Sequence, residues 1–193
     1  MYFCDMSSHH IIREKQEPAL LIMSLEGFNY ENLGQLLEWS PTVVVDESEY
    51  ENVDSLGIKI DAVVSKELSP VLQDNTLVIQ TEDRPLQDAL KFLVGEQYPA
   101  VNIITNNFSA KDYALYVGRI NLVALTPHKK IFPVTSGFSK WKAAGEEIEV
   151  LLEVQNLKTS GLIHTHDHIY KTEKDGFYTL KFDQAFTFIA EAI

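Results

Sequence analysis

Four carboxylates stand where an apolar run meets polar residues: Asp46 after residues 42–45, Asp61 before 62–64, Glu82 after 77–80 and Asp112 after 101–105. Short β-branched and apolar runs of this kind read as strands. In α/β proteins, ligands bind in the loops at the carboxyl ends of strands. Acids gathered at one sheet edge offer the oxygen ligands that a hard cation such as Mg²⁺ takes, and with it a nucleotide's phosphates. Lys66 and Ser69 follow the 62–64 run in one polar stretch. An ammonium group there attracts a phosphate but cannot ligate Mg²⁺. The competing reading is that these are solvated loop acids in a chain carrying 28 of them, with Asp46, Glu82 and Asp112 capping the helices they precede.

A second constellation is His164, His166 and His168, spaced by two within residues 162–170. On one extended strand, residues i, i+2 and i+4 share a face. Three imidazoles in a row then resemble a transition-metal site such as zinc. Neighbours on one face are about 6.6–6.8 Å apart, so two can share an ion while the third needs a bulge or a second strand. The alternative is a polar strand face. The pair His9-His10 falls in a polar stretch before Pro18, which is expected to be poorly ordered.

The elements that must position these groups follow from periodicity. Strands are expected over 19–25, 42–45, 62–64, 77–80, 101–105 and 120–125. Between them lie helices: one through Leu33, Leu36 and Leu37 that stops at Ser40-Pro41, one over 47–56, one through Leu86, Ala89, Leu90, Leu93 and Val94, and one over 110–117. Trp39, at the end of the first helix, is expected in the core. This alternation predicts an α/β domain with a mostly parallel sheet over residues 1–127. Beyond Pro127 the runs 130–134, 147–153, 162–170, 176–182 and 185–190 read as strands without helices, which predicts an antiparallel β-sandwich over 128–193.

Composition excludes several classes. The net charge of −12 disfavours nucleic-acid and anionic-membrane partners. No apolar run approaches the length of a membrane span, and no signal-peptide pattern is present, so a cytoplasmic location is expected. The single Cys4 rules out an internal disulfide.

The stretch from Gly57 to Ser69 resembles the thiamine pyrophosphokinases, whose pattern there reads roughly G-I-K-P-D-x-I-I-G-D-F-D-S. Gly57, Ile58, Lys59, Asp61 and Ser69 match, whereas Lys66 and Leu68 stand where the loop aspartates belong. Asp46 keeps the aspartate of an A-D-G-G-A-N motif that has lost both glycines. Ala89 and Leu90 keep the apolar end of a K-D-x-T-D-x-x-x-A-L motif in which Glu82 replaces an acid and Pro85 the second aspartate. Asp112 alone survives from G-x-x-G-G-R-x-D-H, with Phe108, Ser109, Ala110 and Tyr113 in the other places. The resemblance covers most of the chain from Ala19 onward. It implies an α/β nucleotide domain followed by a β-sandwich, a homodimer, a thiamine-like or nucleotide ligand, and Mg²⁺ if the family's pyrophosphoryl transfer from ATP persists. Phosphoryl-type transfer depends on positioning and on charge stabilisation by metals and cations. Losing acids, glycines and the arginine while keeping the apolar scaffold therefore implies impaired catalysis and a ligand-binding or structural role. A working kinase with Asp46, Asp61, Glu82 and Asp112 in a rearranged Mg-ATP site is the alternative, and a metal-binding β-sandwich the second.

Overall fold

The computed structural model describes residue 15, residues 17–66 and residues 72–193. Ser69, Leu68 and the His9-His10 pair lie outside the described residues. Six parallel strands form the first half: β1 (Ala19–Ile22), β2 (Val43–Asp46), β3 (Ala62–Ser65), β4 (Leu77–Gln80), β5 (Ala100–Ile104) and β6 (Asn121–Leu125). Their lateral order, β6-β5-β1-β2-β3-β4, places β1 centrally. All four residues of β1 are buried. Strands covered on both faces read as continuous apolar runs, and Ala-Leu-Leu-Ile and Val-Val-Val do so.

Helices cover both faces. Helix α1 (Tyr30–Leu37) begins where Asn29 accepts hydrogen bonds from the backbone N–H groups of Glu31 and Asn32, at 2.7 and 3.4 Å. It ends before Ser40, held at φ 51°, and Pro41. Leu33 of α1 and Val53 of α2 (Tyr50–Ser55) pack on Leu20, Ile22, Val43 and Val45. On the other face, α3 (Pro85–Gly95) buries Ala89, Leu90 and Leu93 against Leu21, Val44, Val64 and Ile103, together with Tyr113 of α4 (Ala110–Tyr113). Proline at the first position of α3 suits a helix start, where its missing N–H costs nothing.

The sheet does not stop at residue 127. Strand β7 (Lys129–Val134) turns back antiparallel on β6, pairing Ala124 with Ile131 and Leu125 with Lys130. It is followed outward by β14 (Thr187–Ala192), β9 (Glu147–Val150), β12 (Ile169–Thr172) and β11 (Leu162–His166), completing eleven strands. A second, three-stranded antiparallel sheet comprises β10 (Lys158–Ser160), β13 (Gly176–Lys181) and β8 (Phe138–Lys142). Its Tyr178 and Leu180 form one apolar cluster with Val134, Ile148, Val150 and Ile189 of the large sheet. Gly161 is required where the strands cross closely. It has φ +72°, and a Cβ there would meet the Phe177 carbonyl oxygen at 2.7 Å.

Three expectations need correction. Residues 162–170 are not one strand but β11 and β12, joined by a tight turn in which Asp167 takes φ 46°. Strands β8 and β10 add to the strands that periodicity predicts. Trp39 is 71% exposed rather than part of the core, because α1 ends before it and the chain turns outward through Ser40.

Candidate functional site

In a parallel sheet all carboxyl ends lie on one edge, and the residues at or just beyond them are the site candidates. Asp46 ends β2, and its carboxylate accepts from the Ser48 N–H at 3.1 Å and the Ser48 hydroxyl at 2.5 Å. It thereby caps the short 3₁₀ turn Glu47–Glu49, the local role that its residue type favours. Beside it, Lys66 leaves the end of β3. Its backbone N–H donates to Glu47 Oε2 at 3.1 Å, and its Nζ lies 2.8 Å from Asp83 Oδ1 in the loop after β4. The hydrogen bond and charge of Asp83 hold the Lys66 ammonium above its ordinary range. Lys66 in turn holds the Asp83 carboxyl below the usual carboxylate range. Glu82 is exposed in the same loop. Thr81 turns inward and donates to Asp88 Oδ2 at 2.6 Å, tying that loop to the first turn of α3.

Further along the edge, Asn106 after β5 donates to Glu26 after β1 at 2.7 Å. Asp112 sits half-buried within α4, whose N-cap is Ser109, so it caps nothing. The loop leading into α4 is closed by aromatic packing. Phe108 stacks on Tyr113 at 4.7 Å between ring centres and meets Phe188 edge-on at 5.2 Å. Burial, with Asp112 adding to it, pushes the Tyr113 phenol well above its ordinary range. Rings thus pack where the resemblance places a glycine at 108, the residue type that lets backbone approach a ligand closely.

Asp61 does not belong to this group. It precedes β3 and therefore lies at the amino edge, across the sheet from Asp46 and Lys66. There Asp61 Oδ2 accepts from the Val43 N–H at 2.9 Å and Oδ1 pairs with Lys59 at 2.5 Å. These contacts fix the start of β3 beside β2. A concavity of about 870 Å³ opens on that amino edge, with Lys15, Trp39, Lys59, Asp61 and Tyr98 on its walls; it touches none of Asp46, Lys66 or Asp83.

The Mg²⁺ that the resemblance implies does not fit the donor set seen here. Among the described residues no three His, Cys, Asp or Glu side chains are grouped so as to hold a metal ion. Asp46 is turned to Ser48, an ammonium group occupies the β3 end, and Asp61 is on the wrong edge. The histidines are also apart from the arrangement expected of them. His164 lies on β11 opposite Tyr170, His166 lies beyond a register shift opposite Ile169, and His168 is in the turn. A ring nitrogen of His164 is 2.9 Å from the Asp167 carbonyl, and its ring rests on Tyr170 at 5.1 Å. The shared face that a single strand provides is therefore absent.

Sequence reasoning missed Glu47 and Asp83, the two acids that actually engage Lys66. The signal was available: β3 and β4 are successive parallel strands, so the loops after them are neighbours.

No family model and no curated protein matches the sequence. Solved structures do match. A thiamin pyrophosphokinase from Geobacillus thermodenitrificans superposes with a TM-score of 0.67 at 10% identity, over 91% of this chain and 97% of that one. A thiamin pyrophosphokinase family protein from Enterococcus faecalis gives 0.64 at 13% identity, over 92% and 99%. The yeast enzyme gives 0.60 at 10% identity, over 94% and 88%. The chain has the thiamine pyrophosphokinase fold. Agreement over nine tenths of the chain at such identity means that the thiamine pyrophosphokinase scaffold is kept by burial pattern and topology, not by shared side chains.

Proposed function

We infer that this protein is a thiamine pyrophosphokinase-like protein with impaired catalysis, acting in ligand binding or as a structural component. The observation that carries the inference is the Lys66–Asp83 ion pair at the carboxyl edge. Where the resemblance places a metal-handling aspartate, this chain has an ammonium group, and that group also neutralises the acid nearest to it. Transfer of a pyrophosphoryl group needs cations to spread and offset the charge that develops on the phosphates. One lysine supplies a single fixed charge and no oxygen ligand for Mg²⁺. The aromatic packing after β5 supports the same reading, because Phe108 stands where the resemblance places a glycine.

The layered strands of residues 128–193 are read as the family's β-sandwich, residues 1–127 as its α/β nucleotide domain, and the functional unit as a homodimer with a nucleotide or thiamine-like ligand. Thermal-shift measurements with ATP, AMP, thiamine and thiamine pyrophosphate, each with and without Mg²⁺, test the assignment, since a ligand of the folded state raises its apparent stability. Stabilisation that is equal with and without Mg²⁺ supports ligand binding without a metal site. No stabilisation by any of the four supports a structural role. Stabilisation by ATP that demands Mg²⁺ contradicts the reading.

A further inference from the structure

A second concavity, of about 540 Å³, lies between β6, β7 and the start of β8, sharing no residue with the carboxyl edge. Its apolar lining includes Val123, Phe132, Phe138 and Phe186, and among the described residues its only charged members are Lys130 and Lys140. That inverts the character of the chain, which carries 28 acidic side chains against 16 lysines and arginines. Among the described residues no carboxylate lines the groove.

The two ammonium groups are placed, not scattered. Lys140 Nζ lies 5.2 Å and Lys130 Nζ 6.0 Å from the centre of the Phe132 ring, within reach of its negative face. Lys130 stands opposite Glu191 in the β7–β14 register, yet the Glu191 carboxylate is already taken. It receives Lys140 at 2.5 Å, Lys142 at 3.3 Å and the Tyr178 hydroxyl at 3.1 Å. Among the described residues Lys130 has no ion-pair partner. Even with Glu146, 3.7 Å from Lys142, counted in, this corner keeps one ammonium in surplus at the rim of an apolar cleft.

We propose that this groove binds a small amphipathic monocarboxylate, an aryl or medium-chain aliphatic acid. Its apolar body would cover Val123, Phe132 and Phe138, and its carboxylate would meet Lys130 and Lys140. Volume, apolar walls and a few convergent polar groups are the usual features of a small-molecule site. A single surplus charge suits a monoanion better than a phosphate ester's double charge.

The test is calorimetric titration of the full chain with 2-naphthoate and with its neutral counterpart 2-naphthalenemethanol, in parallel with NMR shifts and sedimentation velocity at the same concentrations. Expected are one-to-one binding of naphthoate, shifts centred on Val123 and Phe132, and at least roughly tenfold weaker binding of the alcohol, as follows from losing a charge-assisted contact. Lys130→Gln should lose the same factor with the fold unaffected, since the side chain is exposed; Lys130→Glu, which sets a second carboxylate opposite Glu191, should lose more, with folding checked by denaturation. Equal affinity for acid and alcohol, unchanged affinity in both Lys130 variants, or no binding overturns the proposal. So does a self-associated chain in which the groove resonances shift with concentration alone, because the occupant is then a second copy.

Discussion

The Lys66–Asp83 pair stands in water at the carboxyl edge of the parallel strands, with side chains 63% and 86% exposed. Glu191, by contrast, is 3% exposed between the two sheets and is held by Lys140, Lys142 and the Tyr178 hydroxyl. The same charges have different consequences in the two places. An exposed pair adds little stability, since water screens it and two long side chains must be ordered. Its proposed effect at the edge is on function, in setting what charge a phosphate or metal would meet there. A buried carboxylate is costly unless paired, so the Glu191 cluster bears on whether the two sheets stay together. Burial pushes the Glu191 carboxyl up, but Lys140 first, then Lys142 and Tyr178, bring it below the usual carboxylate range.

The largest effect is expected from Glu191→Ala, which leaves the buried Tyr178 hydroxyl and Lys140 without their acceptor, while Lys142 keeps only Glu146 at 3.7 Å. Loss of one partner of a buried pair typically costs about 3 kcal/mol. Chemical denaturation of wild type and variant measures it. A neutral result would mean that the buried cluster matters no more than the exposed pair.

A smaller effect appears in acid. Because the Glu191 pKa is lower in the folded chain than in the unfolded one, its contribution is present above the ordinary carboxylate range and is lost as pH falls through the folded value. The stability gap between wild type and Glu191→Ala should therefore narrow as pH drops below about 4. A gap that holds constant down to the acid transition would remove Glu191 as its source.

The smallest change in stability is expected at the edge. Lys66→Ala should leave the thermal midpoint unchanged while letting the Asp83 carboxyl titrate closer to its ordinary range, followed by carboxyl NMR. If instead the midpoint falls as far as it does in Glu191→Ala, the exposed pair is structural and the contrast collapses.

Much of this architecture can be read in the residues. Runs such as Val43–Asp46 and the 3.6-residue spacing from Leu86 to Leu93 announce buried strands and a helix, because burial on a sheet leaves few alternatives. What was hidden has particular causes. β8 reads Phe-Ser-Lys-Trp-Lys, and its inward Lys140 and Lys142 serve Glu191, so the apolar alternation that marks a strand is broken. The β11–β12 turn lacks glycine or proline; only Asp167, a residue type that tolerates left-handed backbone, hints at it. Asp61 and Asp46 both border apolar runs, but one precedes its strand and the other ends it, which in a parallel sheet means opposite edges. The neutralised site was half visible: Lys66 in an acid's place could be seen, but its partner Asp83 required the β3–β4 pairing.

Steady-state turnover of thiamine and Mg-ATP to thiamine pyrophosphate and AMP, followed through AMP on the purified full chain, tests the neutralised edge most directly. No turnover is expected in the usual enzymatic range, on the order of 1 s⁻¹ and above. A rate of about 1 s⁻¹ or faster would contradict impaired catalysis, because Asp46, Lys66 and Asp83 as arranged would then support the transfer.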